Sequence, residues 1–193
     1  MYLISIYFDE ETNRRLKLLM DHVAEKTGNH FLSENHVPPH MTVASIETRH
    51  EEEAVECLEQ LVISRRLASP QTECDAEENE TGKNQTGKDV QWVSVGSFVP
   101  QVLYVQPVLN AYLHDLSCAL SEELGAIPDT ILSPYYQPFS WLPHCTIAKQ
   151  LSKEQMLQGY EVLQNQFTPF SGRITKIGIA KTNPHRDIRV WEI

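Results

Sequence analysis

Pro39-His40-Met41-Thr42-Val43-Ala44 returns 104 positions later as Pro143-His144-Cys145-Thr146-Ile147-Ala148, and the shared pattern P-H-x-T-[V/I]-A governs how the rest of the chain is read. Eight His and twelve Thr in 193 residues give about 0.5 H-x-T triplets from composition alone, so the triplets by themselves carry little. The matched Pro, β-branched residue and Ala at the same offsets make the repeat. Each copy reads as a strand, in which residues i and i+2 share a face. His40 and Thr42 then lie on one side with Met41 and Val43 on the other, and His144 and Thr146 stand opposite Cys145 and Ile147 in the same way.

Outward from the first copy, Leu3 to Phe8 is rich in strand formers, and Asp9 is placed to cap a helix bearing Leu16, Leu19, Met20 and Val23 that stops near Gly28. A second helix is expected over 51–66, with Ala54, Leu58, Leu61 and Val62 on one face and Glu51 to Glu53 at its positive end. Around the second copy, Val90 to Val99 and Val102 to Val105 read as neighbouring strands, followed by a helix carrying Leu109, Tyr112, Leu113, Leu116 and Leu120. Ser152 with Gln155 spells a capping box for a fourth helix, and Ile174 to Ala180 and Ile188 to Trp191 read as closing strands. Residues 68–89 lose the apolar pattern and are expected to form a flexible acidic connection. Strands and helices mixed without a regular parallel βαβ rhythm predict the α+β class. The expectation is a single bilobal domain over 1–193: two pseudo-symmetric lobes with antiparallel sheets, helices outside and a cleft between.

The polar pairs on the two motif strands have a chemistry in common. In-line cleavage of a phosphodiester needs one group to take a proton from the nucleophile, another to give one to the departing oxygen, and donors for the non-bridging oxygens. Imidazole is the side chain whose ordinary pKa of about 6.5 lets one copy be neutral while another is protonated. Threonine hydroxyls donate to phosphate without adding charge. His40 and His144 are therefore the candidate acid and base, with either order open, and Thr42 and Thr146 the candidate phosphate ligands.

At these residues, together with Val93-Ser94-Val95-Gly96-Ser97-Phe98, the strand 102–105 and the helix after it, the chain resembles the two-histidine phosphoesterase superfamily, and within it the bacterial cyclic phosphodiesterase and 2'-5' RNA ligase type. The resemblance implies two α+β lobes about a cleft, catalysis by His40 and His144, phosphate contacts from Thr42 and Thr146, and neither metal nor cofactor. It implies a metal-independent hydrolase for 2',3'-cyclic phosphates or 2'-5' linkages of nucleotides or RNA ends, with RNA joining as the reverse reaction. Lys149 stands where the family often has a basic residue and becomes a further phosphate candidate. Where the family often has an aromatic residue, three positions after the first Thr, this chain has Ser45, so Tyr135, Tyr136, Phe139 and Trp141 become the base-stacking candidates. A non-catalytic module holding a nucleotide or RNA end in the same cleft is the alternative.

The composition narrows the partners. With 16 Lys and Arg against 26 Asp and Glu, the formal charge is −10, which disfavours long nucleic acid and favours a small nucleotide or an RNA terminus. Four dispersed cysteines without a C-x-x-C pair, no basic leader ahead of Leu3 to Phe8, and no apolar run near the roughly 20 residues of a membrane span predict a reduced cytoplasmic protein, expected as a monomer, without membrane contact. Gly82 to Lys88 nearly spells a phosphate loop, but Asp89 replaces its Ser or Thr and Val90 opens a strand where a helix is required. His30, His36 and His50 flank the first copy at a spacing that matches no standard zinc set.

Overall fold

The computed structural model describes residues 1–64, 87–182 and 186–193. The chain runs β1 (Tyr2–Phe8), α1 (Glu10–Thr27), a short α2 (Phe31–Glu34), β2 (Met41–Glu47), α3 (Glu51–Ile63), β3 (Asp89–Phe98), β4 (Val102–Pro107), α4 (Ala111–Gly125), β5 (Ile131–Leu132), a 3-10 turn (Pro134–Tyr136), β6 (Cys145–Ala148), α5 (Lys153–Gln166), β7 (Phe170–Lys181) and β8 (Arg186–Glu192). Most of the expected connection, over 68–86, and most of the near phosphate loop lie outside the described residues; Asp89 begins β3.

Local chemistry starts and stops the helices as the sequence indicates. The Asp9 carboxylate accepts from the Thr12 backbone N–H at 2.8 Å, and Gly28 takes the left-handed conformation, φ 68°, that closes α1. Ser152 and Gln155 form the reciprocal capping box at α5. Leu16, Leu19 and Val23 of α1 are buried in the same core as Ile4, Ile6 and Phe8 of β1, which alternate as one apolar face. Helix α5 packs on α1 and β4 through Gly159, where an added Cβ would stand 2.6 Å from Leu103 Cδ1.

Every strand pairing is antiparallel, and the strands run β5-β2-β1-β7-β3-β4-β6 with β8 added to β7. Strand β7 joins the two parts. Its Phe170–Arg173 stretch pairs with β3, and from Ile174 onward it pairs with β1, with β8 along its other edge. The fold is therefore α+β with an antiparallel sheet, as the sequence predicts.

The motif strands depart from simple alternation at matching places. Opposite β1, Ile4 pairs with Ala44 and Ser5 with Thr42, which leaves Val43 as an extra residue. Opposite β4, Leu103 pairs with Ala148 and Tyr104 with Thr146, which leaves Ile147 extra. These are β-bulges, and a bulge bends its strand and re-aims the side chains beside it. The V/I position of the repeat is thus the bulged residue in both copies, directly after the threonine.

Candidate active site

The two histidines are held alike. His40 Nδ1 lies 2.8 Å from the Pro38 carbonyl oxygen, and His144 Nδ1 lies 2.8 Å from the Leu142 carbonyl oxygen. A carbonyl only accepts, so Nδ1 carries the proton in each ring and Nε2 keeps the lone pair of the neutral form. The proline between carbonyl and histidine has a physical purpose here. It fixes its own φ and keeps the preceding residue extended, which holds the accepting carbonyl in place.

Each ring also has aromatic neighbours from strands that the motif does not contain. The His144 ring packs edge-on to Phe98 of β3, centroids 4.8 Å apart, and at 5.3 Å from Tyr104 of β4. The Tyr7 ring of β1 lies 6.5 Å from that of His40. Burial pushes the His144 imidazole below its ordinary pKa, and its bond to the Leu142 carbonyl opposes part of that shift. Tyr7 donates to the Asp187 carboxylate on β8 at 2.9 Å, and burial together with that carboxylate drives the phenol pKa up, so it stays protonated.

Glycines make room for the tyrosines. Gly96 on β3 pairs with Tyr104, and a Cβ there would lie 2.5 to 2.6 Å from the phenol ring and its oxygen. Gly178 on β7 pairs with Ser5, and its Cβ would come 3.1 Å from Tyr7 Cε2. Thr42 is buried with Oγ1 3.3 Å from Ser5 Oγ, while Thr146 is half-buried in register with Tyr104. Ser5, Tyr7, Phe98 and Tyr104 were not read from the sequence as site residues. The signal for Ser5 and Tyr7 is their i, i+2 spacing on a strand whose other face is wholly apolar.

The two motif segments touch. Trp141 Nε1 donates to the Thr42 carbonyl at 3.0 Å in the interior, and the His40 backbone N–H lies against the sulfur of Cys145. Burial pushes that thiol up to about 12, so Cys145 stays protonated and unreactive.

The remaining candidates scatter. Lys149 is three residues past Thr146, and its ammonium lies 4.8 Å from the centre of the Phe31 ring on α2. Trp141 is 8% exposed and belongs to the core, which leaves no open ring face for a base; Tyr136 is half-buried. Tyr135 and Phe139 are open to solvent, with one side of Phe139 against His114 at 4.8 Å. A groove of about 520 Å³ between α1, the 29–39 segment and β6 includes Ile147 and Ala148 but none of the four motif side chains, so it is a different feature. Among the described residues no three His, Cys, Asp or Glu are grouped to hold a metal ion, and no helix is long and apolar enough to cross a membrane. Cys57, Cys118 and Cys145 are free thiols.

The sequence matches the family model of the 2'-5' RNA ligase superfamily over residues 16–186, nearly the whole chain and both H-x-T copies. The chain belongs to the 2'-5' RNA ligase superfamily. Membership places it among the two-histidine phosphoesterases. TT0787 of Thermus thermophilus is similar in structure with a TM-score of 0.56 and 15% identity, over 99% of this chain and 96% of that one. Escherichia coli LigT in its apo form aligns with a TM-score of 0.45 and 12% identity, over 99% of this chain and 95% of that one. At such identity the likeness to TT0787 speaks for the fold alone. No curated protein matches the sequence.

Proposed function

We propose that this member of the superfamily is a phosphodiesterase that opens 2',3'-cyclic phosphates, or related 2'-5' linkages, on nucleotides or RNA ends. The observation that carries this reading is the matched pair of imidazoles. Each gives Nδ1–H to a backbone carbonyl and so keeps Nε2 for proton transfer. Thr42 and Thr146, one residue removed from the bulges, would donate to the non-bridging oxygens as in an oxyanion site.

In the proposed reaction a water oxygen attacks phosphorus and gives its proton to Nε2 of the base. The bond from phosphorus to the ribose 3' oxygen breaks, and the other imidazolium protonates that oxygen, leaving a 2'-phosphate. Burial favours the neutral form of His144, which suits the base, and His40 is then the acid. The sequence spans a single bilobal unit in this reading, with the substrate end between the motif strands and Tyr135 or Phe139 offering a face to the base. Neither a metal nor a cofactor takes part.

The test is incubation of the full chain with the four nucleoside 2',3'-cyclic monophosphates, with and without EDTA. Turnover to nucleoside 2'-phosphates, indifferent to EDTA, is expected. His40→Ala and His144→Ala should each lose at least about 100-fold in kcat. The pH profile should be bell-shaped, with its acidic limb below about 6.5, because the rate falls as the base becomes protonated and burial lowers His144. Tight binding without turnover in the wild type would favour the non-catalytic module instead, and full activity in both Ala variants would falsify the acid–base assignment.

A further inference from the structure

We propose that Trp141 is a positioning residue, whose indole N–H holds the Thr42 carbonyl and thereby sets the first H-x-T strand against the second. The inference rests on the two-histidine reading above. It concerns a residue that the sequence presents only as an aromatic ring.

Strand β1 covers one side of β2 from Met41 to Ile46, but on the other side β5 pairs only with Ile46 and Glu47. The edge beside the motif is closed by the segment that leads into the second motif. Ser133 N–H donates to the Ser45 carbonyl at 2.8 Å, and the Trp141 indole donates to the Thr42 carbonyl at 3.0 Å. The indole bond falls beside the bulge at Val43, where the ladder to β1 loses its register. A bulge leaves main-chain groups without their regular ladder partners, and a buried carbonyl without a donor is costly.

Trp141 is equally close to the second motif along the chain. Its neighbour Leu142 supplies the carbonyl that orients the His144 ring. One residue thus ties the carbonyl of the Thr42 phosphate ligand to the peptide that sets the His144 tautomer. The contact is returned from the other side, where the His40 backbone N–H meets the sulfur of Cys145, the residue after His144. The two copies are cross-linked through each other's backbones, so a shift in one motif strand is passed to the other.

A plain core role for the ring makes a different prediction, and a second tryptophan separates the two. Trp92 is fully buried, and its Nε1 has no hydrogen-bond partner among the described residues. Trp92→Phe and Trp141→Phe remove the same atoms, but only the second removes an anchor. Trp141→Phe is expected to lower kcat on 2',3'-cyclic monophosphates by about 10- to 100-fold, as a misplacement of about 1 Å does, with a smaller change in KM. It should also move the Cε1–H resonances and titration midpoints of both His40 and His144. Trp92→Phe should lower the melting temperature while leaving kcat and those resonances in place. Equal effects of the two variants on kcat and on the imidazole signals would sink the proposal.

The wild-type chain gives a further check that needs no variant. The Trp141 indole N–H should exchange slowly with solvent and shift when inorganic phosphate is titrated in; rapid exchange would overturn the anchor. The NMR readouts stand without turnover. If the wild type cleaves nothing while Trp141→Phe still displaces both imidazole signals, the enzymatic reading has failed and the anchor has not.

Discussion

Replacing Gly96 by Ala would put a methyl carbon where the Tyr104 ring now lies, within 2.6 Å of it, so the ring must move by about 1 Å to restore contact. Tyr104 cannot move alone, because it shares packing with Phe98 and His144. In an ordinary strand Gly to Ala is neutral or favourable, since glycine weakens strand interiors. Here Gly96→Ala is expected to lower kcat/KM by about 10- to 100-fold with little loss of melting temperature. A displaced His144 ring resonance would accompany the loss; wild-type kinetics would remove Tyr104 from the support of His144. The four motif residues were legible in sequence because the chain writes them twice. Tyr7, Phe98, Tyr104 and Gly96 were not, because strand pairing brings them to the histidines and no local pattern marks that. Lys149 shows the same limit from the other side: the resemblance offers it as a phosphate contact, and its ammonium lies over the Phe31 ring of α2, a neighbour that the local sequence does not mark.

At the scale of elements, the N-caps of α1 and α5 differ in what else they hold. Among the described residues Ser152 serves α5 alone, exchanging bonds with Gln155 and accepting nothing from another element. The Asp9 carboxylate accepts from the Thr12 N–H and hydroxyl and also from the Arg173 N–H of β7, so it joins the start of α1 to the strand shared by both parts of the sheet. Thr12 is 1% exposed, and its hydroxyl would be left buried without that acceptor. Ser152→Ala should therefore cost about 1 kcal/mol and Asp9→Ala about 2 kcal/mol or more. Urea unfolding at constant m-value measures both, and equal costs would mean that the link to β7 contributes nothing. Caps of this kind are readable in a sequence because their chemistry spans three or four residues. The four-residue α2 and the two-residue β5 are too short for any period to show. The start of β7 was missed because Ser171 and Gly172 are poor strand formers; its pairing with β3 supplies what their side chains do not.

For the whole molecule, the repeat foretold an antiparallel α+β fold, but strand order and the closing of β2 onto β6 came only with the structure. The bulges explain part of the gap: sequence alternation through Thr42-Val43 and Thr146-Ile147 predicts flat strands, and the register shows two bent ones. Net charge, by contrast, is readable at once and has a consequence for the proposed substrate. A chain of formal charge −10 repels a polyanion as a whole, so only the terminal phosphate held by the motif residues should be welcome. Salt screens that repulsion, with a Debye length of about 30 Å at 0.01 M and about 8 Å at 0.15 M. Raising KCl over this range should therefore increase kcat/KM for an oligoribonucleotide ending in a 2',3'-cyclic phosphate by about twofold or more relative to the matching mononucleotide. Basic nucleic-acid enzymes show the opposite sign, because they release counterions from phosphates along the strand. A steep fall in oligonucleotide kcat/KM with salt would reveal a basic track along the chain's surface, and the substrate would then be recognised along its length rather than at its end.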